Sequence, residues 1–153
     1  MTDDDLGIDA IAVEDGRLIL VQAKVFGGGR TPPKVIPASE VEAWFAERTE
    51  EWSSRPIPGL VGVEGPSEHV LEVLVGHPSV SFLVWHVGFD ELECSVGTVE
   101  QPDDLAFDYG GHRTTPYANA AVPPAVAAEA VAEFVANGGQ RPTVVDWKEP
   151  EFR

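Results

Sequence analysis

The sequence predicts an α+β fold, with a mostly antiparallel sheet and two main helices in a single domain that spans residues 1–153. Three observations lead to this prediction: two amphipathic segments with helical spacing, several short apolar runs separated by turn residues, and a length of 153 residues. Hydrophobic residues make up 43% of the chain, which is enough for a core. Cys94 is the single cysteine, so packing must hold the fold without an intrachain disulfide.

Residues 1–30 are expected to contain an N-terminal β-hairpin. Apolar side chains alternate along residues 8–25, and the Asp15-Gly16 pair supplies the positive φ angle of a tight turn. Consecutive glycines and a Pro-Pro pair then predict a loop.

A first helix is predicted to begin at a capping box formed by Ser39 and Glu42. Trp44 and Phe45 lie on its apolar side, so we expect them to anchor the helix in the core. The helical pattern ends near Trp52, before two prolines that disfavour its continuation.

The middle of the chain predicts an antiparallel meander. Apolar or alternating runs at residues 70–75, 80–87 and 92–98 are separated by turns that contain glycine. Both faces of the run at 80–87 are apolar, so this strand is expected to be central and covered on both sides. Residues 105–109 are a candidate for a further strand.

The last third predicts a second helix and a final strand. A Pro-Pro pair suits the first turn of a helix that opens after residue 122. An Asn-Gly-Gly sequence at residues 137–139 provides a left-handed stop, and residues 143–147 have the pattern of a strand.

The charge of the chain indicates the kind of partner it meets. Acidic residues number 26 against 10 basic residues, for a formal net charge of −16, and no Lys or Arg occurs between Arg55 and Arg113. This argues against binding to nucleic acid or to an anionic membrane, since both need a basic face. It favours a basic protein partner, although acidic surfaces also serve solubility or reflect a salt-adapted proteome.

The sequence also bears on the compartment. The N-terminus is acidic where a signal peptide would be basic, and no apolar segment follows it. The longest apolar run is about half of the ~20 residues that a membrane-spanning helix needs. We therefore expect a cytoplasmic protein.

One set of residues suggests catalysis. Asp9, Gln22 and Lys24 resemble the Asp…(Gln/Glu)-x-Lys signature of restriction-endonuclease-like nucleases, which hold Mg²⁺ and stabilise charge at the attacked phosphate. Only eight residues precede Asp9, where that fold has a helix and a strand, and an acidic surface does not suit DNA. The four histidines lack the spacing of a zinc site, so neither a metal nor a cofactor is predicted. A Mg²⁺-dependent nuclease fragment remains the alternative to a non-enzymatic protein.

The C-terminal third carries a specific succession of motifs over residues 108–148. The motifs are Asp108-Tyr109-Gly110-Gly111, the proline-led helix with Ala130-Val131-Ala132-Glu133-Phe134, then Gly138-Gly139-Gln140-Arg141-Pro142-Thr143 and Asp146-Trp147. This succession resembles the type-1 Imm family, the immunity proteins of bacterial polymorphic toxin systems. The glycines, the Arg-Pro turn and the tryptophan of these motifs are expected to be structural, not toxin contacts.

The resemblance implies a non-enzymatic inhibitor of a cognate toxin domain, and family members often accompany nucleic-acid-modifying toxins, deaminases among them. Such a toxin has a basic cleft, which carboxylates placed in the positions of phosphates would occlude. The candidate toxin-binding residues are Asp90, Glu91, Glu100, Asp103, Asp104, Asp108, Tyr109 and Tyr117. An adaptor whose acidic face serves a chaperone or secretion component is a third possibility.

Overall fold

The computed structural model describes residues 8–14, 17–22, 34–88, 91–109 and 112–151. These residues form ten strands, two α-helices and a short 3₁₀ helix at Pro66–Glu68. The strands are β1 Ile8–Glu14, β2 Arg17–Gln22, β3 Lys34–Pro37, β4 Gly59–Glu64, β5 His69–Val75, β6 Leu83–Val87, β7 Glu91–Ser95, β8 Phe107–Tyr109, β9 His112–Thr114 and β10 Trp147–Lys148. The helices are α1 Ala38–Trp52 and α2 Pro124–Ala136.

The described strands belong to one sheet. Eight of them follow the order β10-β7-β6-β5-β4-β1-β2-β3, and β8 pairs with β4 and β9. The β1–β4 and β4–β8 pairs are parallel, and the other pairs are antiparallel. The predicted α+β class, with a mostly antiparallel sheet and two main helices, is therefore confirmed. The hairpin is present as β1–β2 and the meander as β5–β6–β7.

Strand β6 is central and covered on both faces, as its sequence predicts. Leu83 and Trp85 pack in a core cluster beneath α1 and α2, together with Trp44 of the first helix. Phe82 and Val84 belong to a second cluster on the opposite face of the sheet. A strand sends successive side chains to opposite sides of the sheet. The two helices cover the side chains on one face, and residues of the segment between β7 and α2 cover those on the other.

The start of α1 differs from the prediction. The helix begins at Ala38 with Pro37 as N-cap, and no side chain forms a capping hydrogen bond. The expected Ser39–Glu42 capping box is therefore wrong. Strand β3 runs directly into the helix, which places Ser39 inside the first turn, two residues after the N-cap position. Neither described helix is long and apolar enough to cross a membrane.

Strand β4 was not predicted, although it lies between β5 and β1. Its two glycines and the prolines before it are typical of a loop. The structure explains Gly59: a Cβ atom there would lie 2.7 Å from Cζ3 of Trp52, so glycine lets the end of α1 approach the sheet. Strands β3 and β9 were also missed.

The final strand is shorter than predicted and comprises Trp147–Lys148 alone. The Glu133 carboxylate on α2 explains this. It accepts hydrogen bonds from the backbone N–H groups of Thr143 and Val144, at 2.8 and 3.2 Å, and from the Thr143 hydroxyl. The N–H groups of Thr143 and Val144 are therefore not available for hydrogen bonds to a neighbouring strand.

Candidate functional site

The face of the sheet opposite the helices carries a cleft. At one end of this face the segment between β7 and α2 packs Leu105, Phe107 and Ala121 onto Leu74 and Phe82. Beyond this cover lies an open cleft of about 560 Å³. It is lined by Leu60, Glu72, Phe82, Val84, His86, Gly88, Leu92, Phe107, Tyr109, Thr114, Thr115, Pro116 and Tyr117.

Glu72 is the acidic residue of this cleft. It lies in the middle of β5, and its side chain is 16% exposed. The carboxylate Oε1 is 3.8 Å from Nε2 of His86, and the Tyr109 hydroxyl donates a hydrogen bond to the carboxylate. Burial raises the pKa of Glu72, while the His86 charge and the Tyr109 hydrogen bond act in the opposite direction.

The charge of Glu72 changes the pKa of both tyrosines that line the cleft. Its negative charge raises the pKa of the Tyr109 phenol, with a further contribution from burial. Burial, and then the Glu72 charge, raise the pKa of Tyr117. The Nδ1 atom of His86 lies 3.0 Å from the Gly88 carbonyl, which can only accept a hydrogen bond. With Nδ1 as the donor, Nε2 carries a proton toward Glu72 only when the ring is charged.

This arrangement is suited to binding. Apolar walls surround one half-buried carboxylate and two phenols, and among the described residues no group of three or more His, Cys, Asp or Glu is placed to hold a metal ion. The cleft therefore offers shape, an acceptor and negative charge to a ligand.

Two of the predicted toxin-binding residues line the cleft. Tyr109 is 52% exposed at the end of β8, and Tyr117 is half-buried beside the second core cluster. Asp108 is half-buried and pairs in register with Gly59 of β4 and Arg113 of β9.

Three of the predicted toxin-binding residues lie outside the cleft lining, in residues 100–104, which we call the acidic loop. Glu100, Asp103 and Asp104 are exposed in the connection between β7 and β8. The Asp104 charge acts on His77 in the β5–β6 connection, where it raises the pKa of the imidazole against the larger lowering by burial. Asp90 lies outside the described residues, and Glu91 is described as the first residue of β7.

Gln101 joins the acidic loop to the segment that carries Tyr117. Its Nε2 donates to the Tyr117 carbonyl at 2.9 Å, and its Oε1 accepts from the N–H groups of Ala120 and Ala121 at 2.9 and 3.2 Å. The buried Ser95 hydroxyl donates to the Ala120 carbonyl at 2.7 Å. The loop and one wall of the cleft are therefore held together by hydrogen bonds.

Sequence reasoning missed both Glu72 and Gln101 as contributors to this surface. Glu72 interrupts a run of Val and Leu residues in the strand predicted at residues 70–75. A charged residue in such a run is the signal that could have identified it. Gln101 offered no such signal, because its partners are 16 to 20 residues away.

The C-terminal motif residues make internal contacts. The Trp147 Nε1 donates to the Pro142 carbonyl at 2.8 Å, and Arg141 forms an ion pair with Glu93 of β7. Trp147 also packs against the core beneath the helices. These contacts agree with the expected structural role of the motif.

Of the three nuclease candidates, the structure describes the backbone of Asp9 in β1 and of Gln22 in β2. Ile8 pairs with Gln22, so the backbone places Asp9 and Gln22 at the same end of the hairpin. Lys24 lies outside the described residues.

We expect Glu72→Gln to stabilise the free protein at neutral pH. A folded-state pKa above the unfolded value means that the ionised form is disfavoured by folding, so wild-type stability falls as the pH rises through this pKa. Gln has the shape of Glu without the charge. The gain in urea midpoint should therefore be present at pH 8 and largely absent at pH 4.

Glu129→Gln, at an exposed position of α2, is the matched control and should change the midpoint little at either pH. Destabilisation by Glu72→Gln at pH 8 would contradict the account of the Glu72 pKa.

Comparison with known proteins gives one family. The model of the family described as "Immunity protein Imm1" matches residues 37–149. The matched span begins at the last residue of β3 and includes both helices and all residues that line the cleft. No curated protein and no solved structure shows a significant match.

Proposed function

Because this chain belongs to the Imm1 family of immunity proteins, we propose that it neutralises a cognate bacterial toxin by occluding the basic active-site cleft of the toxin domain. Membership implies a toxin protein as partner, and the family is not an enzyme family. The family match therefore carries the immunity function and gives no support to a nuclease that uses Asp9, Gln22 and Lys24. The mode of inhibition, the class of toxin and a cytoplasmic location are our proposals.

Charge supports occlusion of a basic cleft. The net charge is −16, and the 57 residues between Arg55 and Arg113 contain neither Lys nor Arg. Glu100, Asp103 and Asp104 present carboxylates from one exposed loop. A toxin that acts on nucleic acid, such as a deaminase or a nuclease, needs cationic groups for phosphates, and these groups would attract the loop.

The neighbouring cleft offers aromatic side chains that could anchor a partner, in addition to the attraction between charges. Interfaces derive much of their affinity from a few aromatic or charged anchors in desolvated pockets, surrounded by a polar rim. Tyr109 and Tyr117 would be such anchors, and Asp108 directly precedes Tyr109 in the sequence. Asp90 and Glu91, around the start of β7 in the sequence, would add negative charge to the rim. The hydrogen bonds of Gln101 hold loop and cleft in one arrangement before binding, which limits the entropy lost on association.

The test is association with the toxin domain encoded beside this chain. We expect a one-to-one complex at micromolar concentration and low salt, with loss of toxin activity. The association rate, followed by stopped-flow fluorescence, should fall by about tenfold or more between 50 and 500 mM salt, because charge steering is screened.

The absence of a complex at low salt would overturn the proposed function. A complex whose association rate is indifferent to salt would leave the immunity function intact and contradict the electrostatic mode. If only a chaperone or secretion component co-purified with the protein, the adaptor interpretation would replace ours.

A further inference from the structure

The geometry of the cleft points to its occupant: one lysine or arginine side chain of the toxin, with its alkyl part against the apolar walls and its charged group on the Glu72 carboxylate. This inference rests on the proposed function, because it specifies how the same surface holds the toxin. It assigns to Glu72 and the cleft a role that the family match does not provide.

The walls suit the stem of such a side chain. Leu60, Phe82, Phe107 and Pro116 line the cleft, and the Phe82 and Phe107 rings pack together with centroids 5.3 Å apart. Lysine and arginine bury their methylene groups on apolar surface while the charged end seeks a polar partner. At about 560 Å³ and open to solvent, the cleft has room for a long side chain entering from outside.

The charge inside the cleft selects a cation. Among the described residues that line it, none is Lys or Arg. Docking an apolar side chain over Glu72 would remove water from the carboxylate without replacing it, and an acidic side chain would be repelled. A cation compensates the desolvation that already disfavours the ionised form of Glu72. Of the side chains that fit the walls, the cationic ones therefore bind best.

The two tyrosines also favour a cation at this position. Tyr109 forms a hydrogen bond with the Glu72 carboxylate, and the Tyr109 ring lies 6.5 Å from the Phe107 ring, centroid to centroid. Tyr117 lines the same cleft. Aromatic faces attract cations, and this attraction grows when water is excluded from the site. A guanidinium or ammonium group between the phenols and Glu72 would form an ion pair with the carboxylate and a cation–π contact with a tyrosine ring.

The experiment measures the affinity of the purified toxin domain for Glu72→Gln and for Glu129→Gln by titration calorimetry. We expect Glu72→Gln to weaken binding by about 30-fold or more, because the half-buried carboxylate that would pair with the cation is lost. Glu129→Gln removes the same charge from the helix-covered side and should stay within about twofold. Since Glu72→Gln is expected to be more stable alone, unfolding cannot account for a loss of affinity.

A double-mutant cycle then identifies the partner residue. Each interface Lys or Arg of the toxin is replaced by Met and tested against both forms of the immunity protein. One toxin variant should lose its effect in the Glu72→Gln background, since both changes remove the same interaction. Tyr109→Phe, which keeps the ring, should weaken binding severalfold by releasing the carboxylate.

The outcomes separate the two proposals. If wild-type protein does not bind the toxin, the proposed function fails. If wild-type protein binds and Glu72→Gln binds equally well, or if no toxin cation couples to Glu72, the inference about the cleft is wrong and the proposed function stands.

Discussion

The double charge reversal Glu100→Lys with Asp104→Lys is expected to weaken toxin binding by about 100-fold at low salt, with the fold unchanged. Both side chains are exposed in the connection between β7 and β8, so lysine at either position creates no buried charge. The change replaces two attractions with two repulsions toward a basic toxin surface, and like-charge contacts across an interface cost several kcal/mol. Surface plasmon resonance should show the loss mainly in the association rate.

The control reverses two exposed charges on α1, Glu47→Lys with Glu50→Lys, which changes the net charge equally on the opposite side of the sheet. This variant should lose less than about tenfold, through long-range attraction alone, and the difference between the two variants should shrink as salt rises. Equal losses would show that overall charge, and not the acidic loop, governs binding.

The second large effect concerns folding: Gly139→Ala should destabilise the protein by about 3 kcal/mol. Gly139 has a φ angle of +90°, and a Cβ atom there would lie 3.1 Å from Cδ of Pro66 and 3.4 Å from Cβ of His69. Its N–H donates to the Phe134 carbonyl at 2.9 Å, which closes the end of α2 in the hydrogen-bond pattern of a Schellman motif. The residue therefore needs both an unusual backbone conformation and the absence of a side chain.

Urea or thermal denaturation measures this effect, and the expected loss corresponds to a fall in Tm of about 6–12 °C for a domain of this size. Gly138→Ala is the matched control. Gly138 has a φ angle of +66°, in the left-handed region, but a Cβ atom there would meet nothing within 4 Å. It should cost only the backbone strain, about 1–2 kcal/mol. Equal losses at both positions would show that close packing against Pro66 and His69 contributes little.

The elements that the sequence predicted correctly are those with a strong local pattern. The two-faced apolar run around β6, the anchors Trp44 and Phe45, and the glycine stop after α2 all follow from the spacing of residues within one element. Periodicity reports burial directly when a whole face of a helix or strand is covered. Cys94, the single cysteine, is fully buried in the second core cluster, where it packs as a small hydrophobic residue.

The elements that the sequence missed depend on distant partners. Strand β4 contains Gly59 and Gly62, which weaken the strand pattern, yet it pairs with β5 along its whole length. Glycine is needed at position 59 because the Trp52 side chain packs against it, and the residues next to Gly59 in the sequence do not indicate this contact. The capping box at Ser39 had the right residues, but β3 runs straight into the helix and the N-cap is Pro37, two residues earlier.

For the candidate site too, some features follow from the sequence and others only from the tertiary structure. From the sequence alone came the acidic, Lys- and Arg-free middle segment, the choice of Tyr109 and Tyr117, and the resemblance to an immunity family, because composition and motifs are properties of the chain itself. Only the tertiary structure placed both tyrosines around Glu72, since strands β5, β6 and β8 meet there from separate parts of the sequence. Burial, and with it the raised pKa of one carboxylate among many, depends on which residues surround a group in space, and a linear pattern does not specify those neighbours.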